Sequence, residues 1–140
     1  MSVIEDRLQE YVDVLSQLEM LDRYTWLMDF GKRSQGIKEE ERLPEFEVPG
    51  CQSATWLIPV VQDKKVYFKA DSVALISKGM VSLLADIFSD TTREQIKSFD
   101  SESLEKLELR TLLTPGRRNG TYNMLLRIKR RGILIDFKQE

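Results

Sequence analysis

Residues 54–69 constrain the fold more than any other stretch. Here the hydrophobic pattern leaves the helical spacing found on either side and turns to strands. "ATWLIPVVQ" and "KVYFKA" are rich in aromatic and β-branched residues, and the polar "QDKK" between them reads as a turn. The two runs predict an antiparallel hairpin. Pro59, inside the first run, predicts an edge position or a bulge, because proline has no N–H to give to a ladder. A hairpin set between helical patterns predicts an α+β protein, with a small antiparallel sheet of about three strands flanked by helices. A length of 140 residues suits one domain, residues 1–140, around one core.

The flanking patterns are periodic. Ile4, Leu8, Tyr11, Leu15 and Leu18 recur at steps of four and three and line one helix face. "LEMLDRYTWLMDFGKR" carries Leu21, Tyr24, Leu27 and Met28 at similar spacing, with Gly31 and Lys32-Arg33 suited to its end. "SQGIKEEERLPEFEVPG" has little periodicity and reads as a long surface connection. After the hairpin, "DSVALISKGMVSLLADIFS" predicts a helix capped by Asp71 or Ser72. Ile76, Met80, Leu83, Leu84 and Ile87 form its buried face. "TTREQIKSF" opens with a capping-box pattern, Thr91 with Glu94, and "SLEKLEL" is a shorter helical candidate. "LLTPGRRNG" reads as a loop from its proline, two glycines and asparagine. "TYNMLLRIKRR" reads as a last helix with basic residues toward its C-terminal end. "ILIDF" is a short alternating tail, and residues 133–140 are read as an extension.

Composition excludes several chemistries. The chain has no histidine, so it has no Cys/His pair, no Ser-His-Asp triad and no histidine-containing metal site. Its one cysteine cannot form an internal disulfide or supply the thiolates of a zinc or iron–sulfur site. A net charge of -2 predicts no general attraction to nucleic acid or membrane. The longest apolar runs are too short to span a bilayer, and "MSVIEDRLQEY" has no apolar signal core, so a cytoplasmic location is expected.

That cysteine, Cys51, lies in "VPGCQSATW", at the mouth of a strand rather than inside an apolar run. Pro49-Gly50 turns the backbone just before it, and Gln52 and Ser53 follow. Two readings stand side by side. A turn exposing successive N–H groups can act as an anion nest and favour the thiolate. A free cysteine is also commonly a small buried hydrophobe. In "LLTPGRRNG", Arg117 and Arg118 could hold an anion, pair with an acidic partner or lower the thiol pKa; a solvated charged loop is the plainer reading. The basic residues from Arg127 to Arg131 read as a solvated helix face, since only Tyr122 stands near as an aromatic platform. Trp26, Trp56, Tyr24 and Phe68 read as core.

Four stretches in order resemble one family. "VPGCQSATWL" is similar to the cysteine loop of the SufE-like sulfur-acceptor proteins of iron–sulfur cluster biogenesis. "LEMLDRYTWLMDFGKR" resembles the family's opening helix, "FKADSVALISKGMVSLL" its strand-to-helix segment, and "LTPGRRNGTYNML" its Ser/Thr-Pro-x-Arg-x-Asn-Gly loop and final helix. The likeness spans roughly residues 10 to 132. It implies a compact α+β fold shared with IscU-type scaffolds. It implies a sulfur carrier that is not a free-standing enzyme, with Cys51 taking persulfide sulfur from a cysteine desulfurase of the SufS or CsdA type and passing it to an iron–sulfur scaffold. The pyridoxal phosphate (PLP) belongs to that partner, and no cofactor or metal is expected on this chain. Gly50, Gln52, Ser53, Asp71, Arg117, Asn119 and Gly120 carry over as loop or partner support, and Ser72 matches the same segment as Asp71. Departures are Val73 where the family usually has aspartate, Arg118 in place of a small residue, "EFEVPG" without the usual Asn-Arg approach, and a longer tail. The alternatives from other classes are a partner-binding regulatory module without thiol chemistry and a free-standing thiol enzyme. The absence of histidine speaks against the enzyme.

Overall fold

The computed structural model describes residues 2–108 and 115–134, the side chains of 115–118 and 134 excepted. The first helix, α1 (Val3–Leu15), starts where Ser2 accepts the Glu5 N–H at 3.1 Å, and it buries Ile4, Leu8 and Leu15. Leu18 lies beyond its end, packed against the core. The second helix, α2 (Met20–Arg33), buries Leu27 and Gly31, while Leu21, expected on the buried face, is 81% exposed.

Gly31 does not end α2. It lies inside the helix, at the crossing with α3 (Leu75–Phe88), where a Cβ would stand 2.8 Å from the Gly79 nitrogen and the Leu75 carbonyl oxygen. A Cβ on Gly79 would overlap the Leu27 carbonyl. The two glycines let the helix backbones touch, so their lack of a side chain is used for packing.

The hairpin forms as expected. Strands β1 (Thr55–Gln62) and β2 (Lys65–Ser72) pair antiparallel, with Thr55 opposite Ser72 and Gln62 opposite Lys65. The loop residues Asp63 and Lys64 both have positive φ, 53° and 66°, as a two-residue hairpin turn requires. Among the described residues the sheet has two strands rather than about three. Single bridges flank it, Glu47 to Trp56 on one side and Val66 to Thr91 on the other. Pro59 lies in an unbroken register opposite Phe68; β1 is itself an edge strand.

Helix α3 buries all five residues read from its period: Ile76, Met80, Leu83, Leu84 and Ile87. It lies against α2 and β2 and forms the centre of the core. Neither Asp71 nor Ser72 is its cap, because β2 runs on through Ser72 and the helix starts after Ala74 without a side-chain cap. Helix α4 (Arg93–Ser98) has its capping box one residue later than predicted, with Thr92 accepting from the Gln95 N–H and Gln95 from the Thr92 N–H. Thr91 is fully buried in the bridge to Val66. "SLEKLEL" contributes to a 3-10 helix, Ser101–Leu107.

The last helix, α5 (Pro115–Leu134), begins earlier than expected. Residues 115–120, read as loop, form its opening turns, with Pro115 at the first position, where its missing N–H costs nothing. The rest of that loop reading, 112–114, and the tail from 135 onward lie outside the described residues. Among the described residues, no helix is long and apolar enough to cross a membrane.

Candidate functional site

The Cys51 turn joins a buried anchor to the start of β1. Val48 is buried and donates its N–H to the Thr55 carbonyl at 2.8 Å, which closes the turn's base. Gly50 has φ +77°, and a Cβ there would also overlap the Asn123 amide of α5. Both constraints require glycine.

This geometry presses Cys51 against α5. Its thiol donates toward the Gly120 carbonyl oxygen at 3.8 Å. Gly120 is buried, and a Cβ there would stand 3.4 Å from Sγ. Cys51 is half-buried, and beside it Gln52, Ile76, Ser77, Met80, Gly120, Thr121 and Met124 line a cleft of about 10 Å³. That is about the space of one water-sized sphere. Ile76, Met80 and Met124 make the cleft largely apolar.

The electrostatics differ from the anion-nest expectation. Burial pushes the Cys51 thiol above its ordinary range, the Glu47 carboxylate adds to the rise, and a hydrogen bond with Thr55 acts the other way. The net direction is upward, so burial by this wall disfavours the thiolate.

The remaining residues from the sequence divide by location. Gln52 is exposed and lines the cleft. Ser53 is half-buried, and its carbonyl accepts the Thr55 hydroxyl at 2.9 Å. Asn119 is exposed on α5, next to Gly120. Arg117 and Arg118 fall on the first turns of α5, and their side chains lie outside the described residues. Asp71 does not line the cleft. It is 5% exposed and accepts the Ile37 N–H at 3.1 Å, the Ser72 N–H at 2.8 Å and the Arg42 guanidinium at 3.3 Å. Lys78 lies 3.7 Å away. Burial alone would raise its carboxyl, but the Ile37 and Ser72 N–H groups, Lys78 and Arg42 outweigh this and hold it below the usual carboxylate range. Its contacts tie the 36–42 connection to β2 and α3. Arg42, stacked 4.8 Å over Trp56, completes that tie.

Sequence reasoning missed Thr55 and Asn123. Thr55 is fully buried, and its hydroxyl lies 3.1 Å from that of Ser72, which donates to the Ala54 carbonyl at 2.8 Å. A hydroxyl inside an apolar strand run was the signal available for Thr55. Nothing local marked Asn123, whose part is set by the packing of α5 on Gly50. Among the described residues, no cluster of three or more Asp, Glu, Cys or His side chains could hold a metal ion.

Fold and site together define a class: an α+β protein whose one cysteine sits in a turn, sheltered under the last helix, in a chain without histidine. The chain belongs to the SufE family, matching the model of that "Fe-S metabolism associated domain" over residues 9–132. It is 31% identical over 117 residues, 84% of this chain and 74% of the relative, to a SufE-like protein of Synechocystis. The solution structure of a protein from Thermus thermophilus shares the fold, with a TM-score of 0.75 at 19% identity, over 93% of this chain and 97% of that one.

Proposed function

We propose that Cys51 is a sulfur acceptor serving a PLP-dependent cysteine desulfurase, and that the sulfur is passed on for iron–sulfur cluster assembly. The observation that carries this is the site itself: the chain's one cysteine, half-buried beside an apolar cleft with space for about one further atom. Family membership places the chain in Fe–S metabolism.

The chemistry is thiol–disulfide exchange. The Cys51 thiolate attacks the outer sulfur of the partner's cysteine persulfide. The partner's S–S bond breaks, Cys51–S–SH forms with the proton the outer sulfur already carried, and the partner's cysteine leaves as thiolate, free to take the proton that the Cys51 thiol gave up. No net oxidation occurs and no histidine base is needed. Because burial disfavours the thiolate, a docked partner that draws the turn away from Gly120 would favour attack. The apolar cleft then shelters the loaded sulfur from small thiols and oxidants. PLP chemistry stays with the partner, and this chain contributes acceptor and shelter.

The test is direct. The protein is mixed with a cysteine desulfurase and L-cysteine without reductant, and its intact mass is taken after desalting. A gain of about 32 Da on wild type, absent on Cys51→Ser, is expected for one added sulfur. No gain on wild type, with the desulfurase itself persulfurated, overturns the carrier reading and leaves a partner-binding module.

A further inference from the structure

Helix α3 lines two separate depressions. Ile76, Ser77 and Met80 face the Cys51 cleft. Ser82, Ala85 and Asp86, at helical steps of three and one, with Ser89 just past the helix end, face a groove of about 450 Å³. Phe30 of α2, Phe68 of β2 and the 34–41 connection complete it, and it shares no residue with the cleft. Small-molecule sites typically occupy about 300–1,000 Å³.

Two observations point to a ligand. The first is Ser82. It is 8% exposed and lines the groove, yet its hydroxyl has no hydrogen-bond partner. A buried polar group left unpaired is costly and calls for an explanation. The other two serine hydroxyls of the lining are engaged. Ser34 donates to the Phe30 carbonyl at 2.7 Å, and Ser89 accepts the Phe68 N–H at 2.9 Å.

The second is the charge pattern. The lining holds two ammonium groups, Lys38 and Lys69, and two carboxylates, Glu41 and Asp86. Lys69 and Glu41 are paired with each other. Among the described residues Lys38 makes no direct ion pair, though its charge also acts on Glu41 nearby, and Asp86 uses one carboxylate oxygen, Oδ2, to accept the Tyr11 hydroxyl. One cation and one carboxylate oxygen are left to meet a ligand, over an aromatic floor. A ligand carrying a single charge meets as much repulsion as attraction there. A zwitterion meets a partner for each end.

We propose that this groove binds a zwitterionic α-amino acid with an apolar side chain. Lys38 takes the carboxylate, Asp86 takes the ammonium, Phe30 and Phe68 cover the side chain, and the Ser82 hydroxyl bonds the polar end. The roof is fixed in advance, because the Ile37 N–H is held by Asp71, so little ordering is needed on binding.

The full chain, labelled with ¹⁵N, is titrated with L-phenylalanine and followed by amide shifts. Saturating shifts confined to the groove's lining, at Phe30, residues 34–41, Phe68–Ala70 and Ser82–Ser89, are expected, at a Kd on the order of 1 mM. N-acetyl-L-phenylalanine and phenethylamine, each lacking one charge, bind about tenfold more weakly, as L-phenylalanine does to Lys38→Ala and Asp86→Asn. Ser82→Ala also weakens binding, while the free protein is as stable as wild type or more so, since an unpaired hydroxyl is removed. Cys51→Ser binds unchanged, which separates this site from sulfur transfer. Absence of saturation at tens of millimolar, shifts at the Cys51 turn instead, or equal binding of all three probes overturns the proposal.

Discussion

Gly50→Ala tests how the cysteine turn is built. The substitution meets two separate obstacles. Its backbone sits at φ +77°, a conformation that costs an L-residue about 1–2 kcal/mol. Its Cβ also overlaps the Asn123 amide, which must swing aside or push the turn off α5. Crowding of this kind costs about 1 kcal/mol where the neighbour is a half-buried side chain end. Fewer unfolded conformations return about half a kcal/mol, so the net loss is about 2 kcal/mol. For a chain of this size that lowers Tm by about 6 °C. The assay is urea denaturation of Gly50→Ala, Asn123→Ala and the double variant. The double variant should recover about 1 kcal/mol, the crowding share, and keep the backbone share. Reaction of the thiol with a disulfide reagent should quicken in Gly50→Ala, because the wall at Gly120 and Asn123 has moved. Equal stability of Gly50→Ala and wild type, or simple additivity in the double variant, would refute the reasoning.

Three further outcomes follow from the same contacts. Alkylation of Cys51 by iodoacetamide should rise with pH at a midpoint above the ordinary ~8.5 of a free thiol, because burial disfavours the thiolate, and Thr55→Val should move that midpoint higher still. Asp71 has a depressed carboxyl, so its stabilising share is present above the unfolded value of about 3.9 and is lost as pH falls through the lower folded value. Wild type should therefore lose stability over that acid window, and Asp71→Asn should be less stable near neutrality with a flatter acid limb in urea melts at stepped pH. Gly79→Ala drives a methyl into the Leu27 carbonyl, where backbone cannot yield, and should cost about 3 kcal/mol in the same melts despite alanine's better helix propensity.

The parts of the fold legible in the sequence are those set by local period. The face of α3 and the hairpin are examples, since burial of alternate or every third and fourth residue leaves a direct trace. Gly31 misled because a glycine near basic residues at a helix end has the same local signature as a stop. Only the partner Gly79, 48 positions on, gives its real use. "PGRRNG" reads as loop by propensity, yet it forms the start of a 20-residue helix whose later turns pack on the core. At the site, the cysteine turn was legible from Pro49-Gly50. The raised thiol was not, because the wall that buries it comes from α3 and α5. Asp71 reads in the sequence as a helix cap or a loop support, but its donors Ile37 and Arg42 lie 34 and 29 positions away, so its use as a tie depends on tertiary structure.

The hairpin is made of edges alone. Each strand has one regular neighbour, and beyond that only a single bridge, to Glu47 or to Thr91, among the described residues. Open edges invite pairing with a second copy, and crowded protein solutions turn such pairing into aggregates. The sequence carries its own protection. Pro59 removes a donor from the middle of β1, and Lys65 and Lys69 place charge along β2. The proline that predicts an edge in the sequence thus also leaves that edge one donor short for pairing with a second copy.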